Sequence, residues 1–142
     1  MRLVVLIVGA AAALVVASGA TAKEFRPGDL SICSHHRCVP ITDQPVLNQL
    51  GAFYYTGETA PAKIRAPRLG ARAFQLRFSD GYVTGVVGGA KLNRFLSFGV
   101  NLGRFASGQW YRFPTAVAQE LRSLAAPLEP LRVSRWMLAR SR

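Results

Sequence analysis

Arg72-Ala73-Phe74-Gln75-Leu76-Arg77-Phe78, then Ser79-Asp80-Gly81 and Tyr82-Val83-Thr84-Gly85-Val86-Val87, is the most regular pattern in the chain. Phe74, Leu76 and Phe78 alternate with Ala73, Gln75, Arg77 and Ser79, which is the period of a strand with one face in a core. Ser-Asp-Gly supplies turn chemistry, and the β-branched run behind it reads as a returning strand. The centre of the chain is therefore expected to be a β-hairpin.

On its N-terminal side, Val46, Leu47, Leu50, Phe53 and Tyr54 recur at helical spacing. They predict a helix over 44–55, with Asp43 accepting from its free amides and Pro45 tolerated in its first turn. Tyr54-Tyr55 is read as core on that face. Residues 56–68 carry the Gly and Pro of a connecting loop. Ahead of the helix, two short strands are expected to flank the polar turn Cys33-Ser34-His35-His36-Arg37-Cys38. On the C-terminal side, Leu92, Phe95, Leu96 and Gly99 fit a helix over 90–98, and strands are expected over 100–105 and 109–113, the second with Trp110 anchoring the core. Thr115 opens a helix in which Val117, Leu121 and Leu124 share a face and which Pro127 ends. Leu131-Arg132-Val133 reads as a short strand, and Ser134 can cap a last turn. Without a steady βαβ alternation, the expectation is a small single α+β domain with two or three hairpins and two or three helices.

The chain has 142 residues and a formal charge of +11, with half of its residues apolar. Met1-Arg2 precedes an apolar run from Leu3 to Ala17, and Ser18-Gly19-Ala20-Thr21-Ala22 follows before charge returns at Lys23. This is a secretory signal layout with an A-x-A end, so 1–22 is expected to be removed and 23–142 to fold as one domain at the cell surface or outside it. The alternative is an uncleaved N-terminal membrane anchor, since the stretch approaches the ~20 residues that cross a bilayer. Taking away 1–22 removes one arginine and leaves +10 on the remainder.

An even cysteine count in an exported chain favours a Cys33–Cys38 disulfide that closes the N-terminal hairpin. So short a ring stabilises by ~2 kcal/mol and mainly fixes the local turn. The sharper alternative, a metal held by Cys33, His35, His36 and Cys38, is disfavoured because four ligands in one tight turn surround an ion poorly. No metal or cofactor is expected. His35 and His36 read as exposed turn residues. No Gly-x-Ser-x-Gly elbow, phosphate-binding loop or His-Glu-x-x-His box is present, so no catalytic residue is assigned.

Arg-Phe recurs at 77–78, 94–95, 104–105 and 112–113. In strands this spacing puts the ring inside and the guanidinium outside. The charge points to a non-enzymatic domain that associates with an anionic envelope polymer or an acidic lipid surface, because a positive field concentrates polyanions and weakens with salt. The expected anion-binding patch is Arg132, Arg135, Arg140 and Arg142 in the basic segment 131–142, beside Leu131, Trp136, Met137 and Leu138. The competing reading is a tail docked on the core. A small surface hydrolase using Asp29, Asp43 or Asp80 with a histidine is the enzymatic alternative. Nucleic acid is a disfavoured partner, because the leader directs the chain away from it. Oligomeric state is not encoded in any pattern here.

Gly28-Asp29-Leu30, Cys33 to Cys38, Val39-Pro40-Ile41, Phe53-Tyr54-Tyr55, Gly81-Tyr82-Val83 and Arg94-Phe95-Leu96-Ser97 together resemble small secreted proteins of GC-rich bacteria, a group to which no activity is attached. The resemblance covers most of 23–142 and implies no catalytic residue.

Overall fold

A computed structural model describes residues 24–56, 61–98, 105–106 and 108–139. The expected leader 1–22, all but Phe105 of the strand expected over 100–105, and Arg140 and Arg142 lie outside the described residues. The elements run β1 (Leu30–Cys33), β2 (Cys38–Pro40), α1 (Gln44–Gly51) widening into a π-helical turn (Ala52–Thr56), β3 (Arg72–Phe78), β4 (Val83–Gly88), β5 (Arg94–Ser97), β6 (Trp110–Arg112), α2 (Thr115–Ala125), β7 (Leu131–Arg132) and α3 (Arg135–Ala139). This is an α+β domain. One antiparallel sheet has the order β2-β1-β3-β4-β5-β6, and β7 lies against β3 beyond the end of β1.

Adjacent residues of a strand point to opposite faces, and here each face has its own core. Phe74, Val87, Phe95 and Tyr111 join the larger cluster, which the sheet shares with Leu47, Leu50, Phe53 and Tyr54 of the first helix and Val117 and Leu121 of α2. Their neighbours Ala73, Val86, Leu96 and Trp110 join Leu131 and Val133 in a second cluster, covered by Ile64, Ala66, Ala71, Met137 and Leu138. The described members of both cores lie between Phe25 and Leu138, inside the stretch 23–142.

The helix expected over 90–98 is instead a tight turn followed by β5. The amide of Leu92 donates to the carbonyl of Gly89, Leu92 stands at φ 49, and β5 then pairs with β4 and β6. Both faces of β5 are covered, so Phe95, Leu96 and Ser97 are all buried. A strand buried on both sides loses its polar alternation and imitates helical spacing. The remaining boundaries shift by a few residues. Asp43 Oδ1 accepts from the amide of Val46 at 3.0 Å, and Ser134 Oγ from that of Met137 at 3.3 Å, as capping residues do.

Between Leu76 and Arg77 the register against β4 slips, since Leu76 faces Gly85 while Arg77 faces Val83. Thr84 is the extra residue of a β-bulge. Its hydroxyl donates to the Leu76 carbonyl at 3.3 Å and accepts from the buried Tyr54 phenol at 2.9 Å. Burial pushes the Tyr54 phenol well above its ordinary range, against the smaller opposing effect of the Thr84 hydrogen bond. The unfolded chain releases this proton from about pH 10 upward while the native one keeps it, so stability falls by about 1.4 kcal/mol per pH unit above that point. Tyr54→Phe should cost about 1 kcal/mol at neutral pH and unfold less steeply in alkali. Urea titrations on either side of pH 10 check this, and identical slopes for the two proteins would refute it.

Candidate functional site

The Cys33–Cys38 disulfide is formed, with 4.0 Å between its Cα atoms, and the two residues face each other in the β1–β2 register. The bond occupies both sulfurs, so neither is a thiolate ligand. His35 and His36 are exposed at the turn, and among the described residues no cluster of three His, Cys, Asp or Glu forms a metal-sized site. The histidines, with Ser34 and Arg37, line a groove of about 600 Å³ against Leu128, Glu129 and Arg132.

The three aspartates of the hydrolase alternative are elsewhere. Asp29 accepts from the amide of Arg26 at 2.8 Å, Asp80 from that of Tyr82 at 2.9 Å, and Asp43 caps α1. Asp29 and Asp80 share a small cavity of about 180 Å³ with Phe25, Phe78 and Ser79. The groove that His35 and His36 line holds none of these aspartates, and the cavity of Asp29 and Asp80 holds neither histidine.

A larger feature lies at the opposite end of the sheet. The loop 64–68 and the 89–93 turn meet over β5 and β6 to form a groove of about 630 Å³ whose charged lining is Arg65, Arg68, Lys91, Arg94 and Arg112. Lys91, Asn93 and Arg112 also line an adjoining hollow of about 420 Å³, which adds Arg122 and the start of α2. Among the described residues no acidic side chain lines either part.

The groove walls are held by its own arginines. Arg94 donates to the carbonyls of Arg65 and Ala66 at 2.8 and 2.9 Å, and Arg122 to that of Lys91 at 2.7 Å. Arg72, just outside, donates to Ala90 at 2.7 Å. Guanidinium groups bridging backbone carbonyls fix the two loops in place, so the groove exists before any ligand arrives. Its floor is fixed by the β5–β6 pairing, in which Arg94 lies directly opposite Arg112. Both alternate with core phenylalanines, so both side chains rise on the groove side, and like charges opposed across two strands repel.

The patch expected in the C-terminal segment divides differently. Leu131 is buried in the second cluster and Met137 and Leu138 pack against it, so the tail is docked on the sheet. Arg132 and Arg135 stay exposed, with Arg132 Nη1 donating to the Gly70 carbonyl at 3.4 Å. Neither lines the cationic groove. The rings of the Arg-Phe pairs behave as expected, with Phe95, Phe105 and Phe113 buried and Phe78 half-buried. The groove itself escaped sequence reading because its six cations come from four separate segments, although the Arg-Phe repeats already held two of them. Comparison with protein-family models, curated proteins and solved structures finds no match to this chain.

Proposed function

We propose that this protein is an exported, non-enzymatic domain that holds an anionic polymer of the cell envelope in its cationic groove. The observation that carries this reading is the Arg94–Arg112 pair. Two arginines stand opposite each other in the β5–β6 register, with Arg65, Arg68 and Lys91 around them and no acid among the described lining, so their like charges repel. An anion lying between them converts that repulsion into attraction, and arginine forks suit phosphate and carboxylate oxygens. A groove continuing toward Arg122 offers charges in a row, which favours a chain of anions over a single small one. The hydrolase reading rests on an aspartate with a histidine, and the cavity of Asp29 and Asp80 is not the one His35 and His36 line; the expected leader argues against the genome as the polymer.

The test is binding of inorganic polyphosphate to residues 23–142 at two salt concentrations. Affinity should fall steeply with salt, and Lys91→Glu with Arg112→Glu should weaken it by roughly two orders of magnitude, since each reversal replaces attraction by repulsion. Arg135→Glu, outside the groove, should change it only a few-fold. Equal losses in the two proteins, or binding indifferent to salt, would defeat the proposal.

A further inference from the structure

Among the described residues three large apolar side chains are exposed, and two of them, Leu69 at 54% and Trp136 at 52%, belong to segments that are tied together. The Gly70 amide donates to the Val133 carbonyl at 2.9 Å and the Val133 amide to the Ala71 carbonyl at 2.8 Å. Leu69 thus stands at the end of a short ladder whose other side runs directly into α3, which carries Trp136. The Trp136 ring rests on Phe98, with centroids 5.3 Å apart, at the rim of the second core and still half exposed. Arg68 precedes Leu69 and Arg135 precedes Trp136 in the chain, with Arg132 a little earlier in β7, and all three are exposed.

We propose that Leu69 and Trp136 form a shallow contact with the interface of an anionic lipid bilayer. Two protruding side chains are far too little for a stable protein interface, which needs roughly 800 Å² from each partner. A bilayer makes no such demand. An indole seats at the headgroup level with its apolar body inward, a leucine reaches just below, and flanking guanidiniums meet lipid phosphates. Charge complementarity selects the partner, because these apolar groups are flanked in the chain by cations. The contact goes beyond the polymer groove, with which it shares only Arg68.

Trp110 is buried and Trp136 exposed, so a change in emission on adding vesicles reports Trp136. Residues 23–142 should shift to the blue with phosphatidylcholine vesicles containing about one third phosphatidylglycerol, and should be quenched by lipids brominated near the headgroup. Leu69→Ser with Trp136→Ala should reduce sedimentation with those vesicles about ten-fold and leave polyphosphate binding unchanged. Vesicle binding without quenching, or undiminished in the double variant, would overturn the contact while leaving the groove standing. Loss of polyphosphate binding in that variant would also overturn it, by showing that the two surfaces are one. The groove proposal fails separately, through the Lys91 and Arg112 reversals.

Discussion

Replacing Gly85 with alanine should destabilise the domain by ~3 kcal/mol or more, a large part of the 5–15 kcal/mol that holds a typical domain together. A Cβ at this position would overlap the carbonyl oxygen of Leu96 and the ring of Phe95. The carbonyl belongs to the neighbouring strand and cannot rotate away, while Phe95 is enclosed by Phe53, Tyr54, Phe105 and Phe113 with centroids 5.1 to 5.6 Å distant. Relief requires β4 and β5 to separate, which also loosens the bulge at Thr84 and its bond to Tyr54. Gly88 makes a useful comparison, because a Cβ there meets the Pro67 ring at 3.2 Å. That contact is tight without being an overlap, and the Trp110 ring at 3.4 Å is in ordinary contact, so Gly88→Ala should cost only about 1 kcal/mol. Urea unfolding of the two variants gives the contrast, and a Gly85→Ala protein within 1 kcal/mol of the parent would show the strand contact to be softer than its geometry.

Trp110→Ala should cost about 3–5 kcal/mol, the range for removing a large buried aromatic side chain. Its ring fills the second core, and its backbone carbonyl accepts from the amide of Ile64 at 3.0 Å. The indole therefore backs the loop that carries Arg65 and Arg68. Its loss should reach the groove as well, lowering polyphosphate affinity in conditions where the variant remains folded, because two of the cations lose their fixed positions. Thermal unfolding and polyphosphate titration measure both effects. A variant that keeps full stability would place the weight of the second core on Leu96 and Val86 instead.

The parts of the fold legible from sequence were those coded locally. β3 declared itself because Gln75 and Arg77 are polar where that strand is only half covered, β4 because a Ser-Asp-Gly turn leads into its β-branched run, and the cysteine hairpin because two cysteines five residues apart have little choice of geometry. Asp43 and Ser134 announced helix starts by capping chemistry. The failure at β5 has a physical cause: with a core on each face, the strand had no polar side to reveal its period. The candidate site was less legible than the fold. Arg94 and Arg112 were visible as Arg-Phe pairs, but their opposition depends on the β5–β6 register, and that register is set by packing across eighteen positions of chain. The acidic residues were misleading in the opposite way, since Asp29, Asp43 and Asp80 suggested chemistry and turned out to hold turns and a cap.

One feature of the sheet governs when the molecule can be finished. The edge of β3 is shared by β1, from the start of the domain, and β7, from near its end. On a chain that emerges N-terminus first, from a ribosome or through a membrane pore, β3 meets its early partner long before its late one exists. The Arg72–Ala73 part of that edge, and the second core into which Leu131 and Val133 fit, waits until residues 131–133 are free. Closure of the sheet along β3 therefore comes late in the emergence of the chain, after the residues of β7 are free to pair.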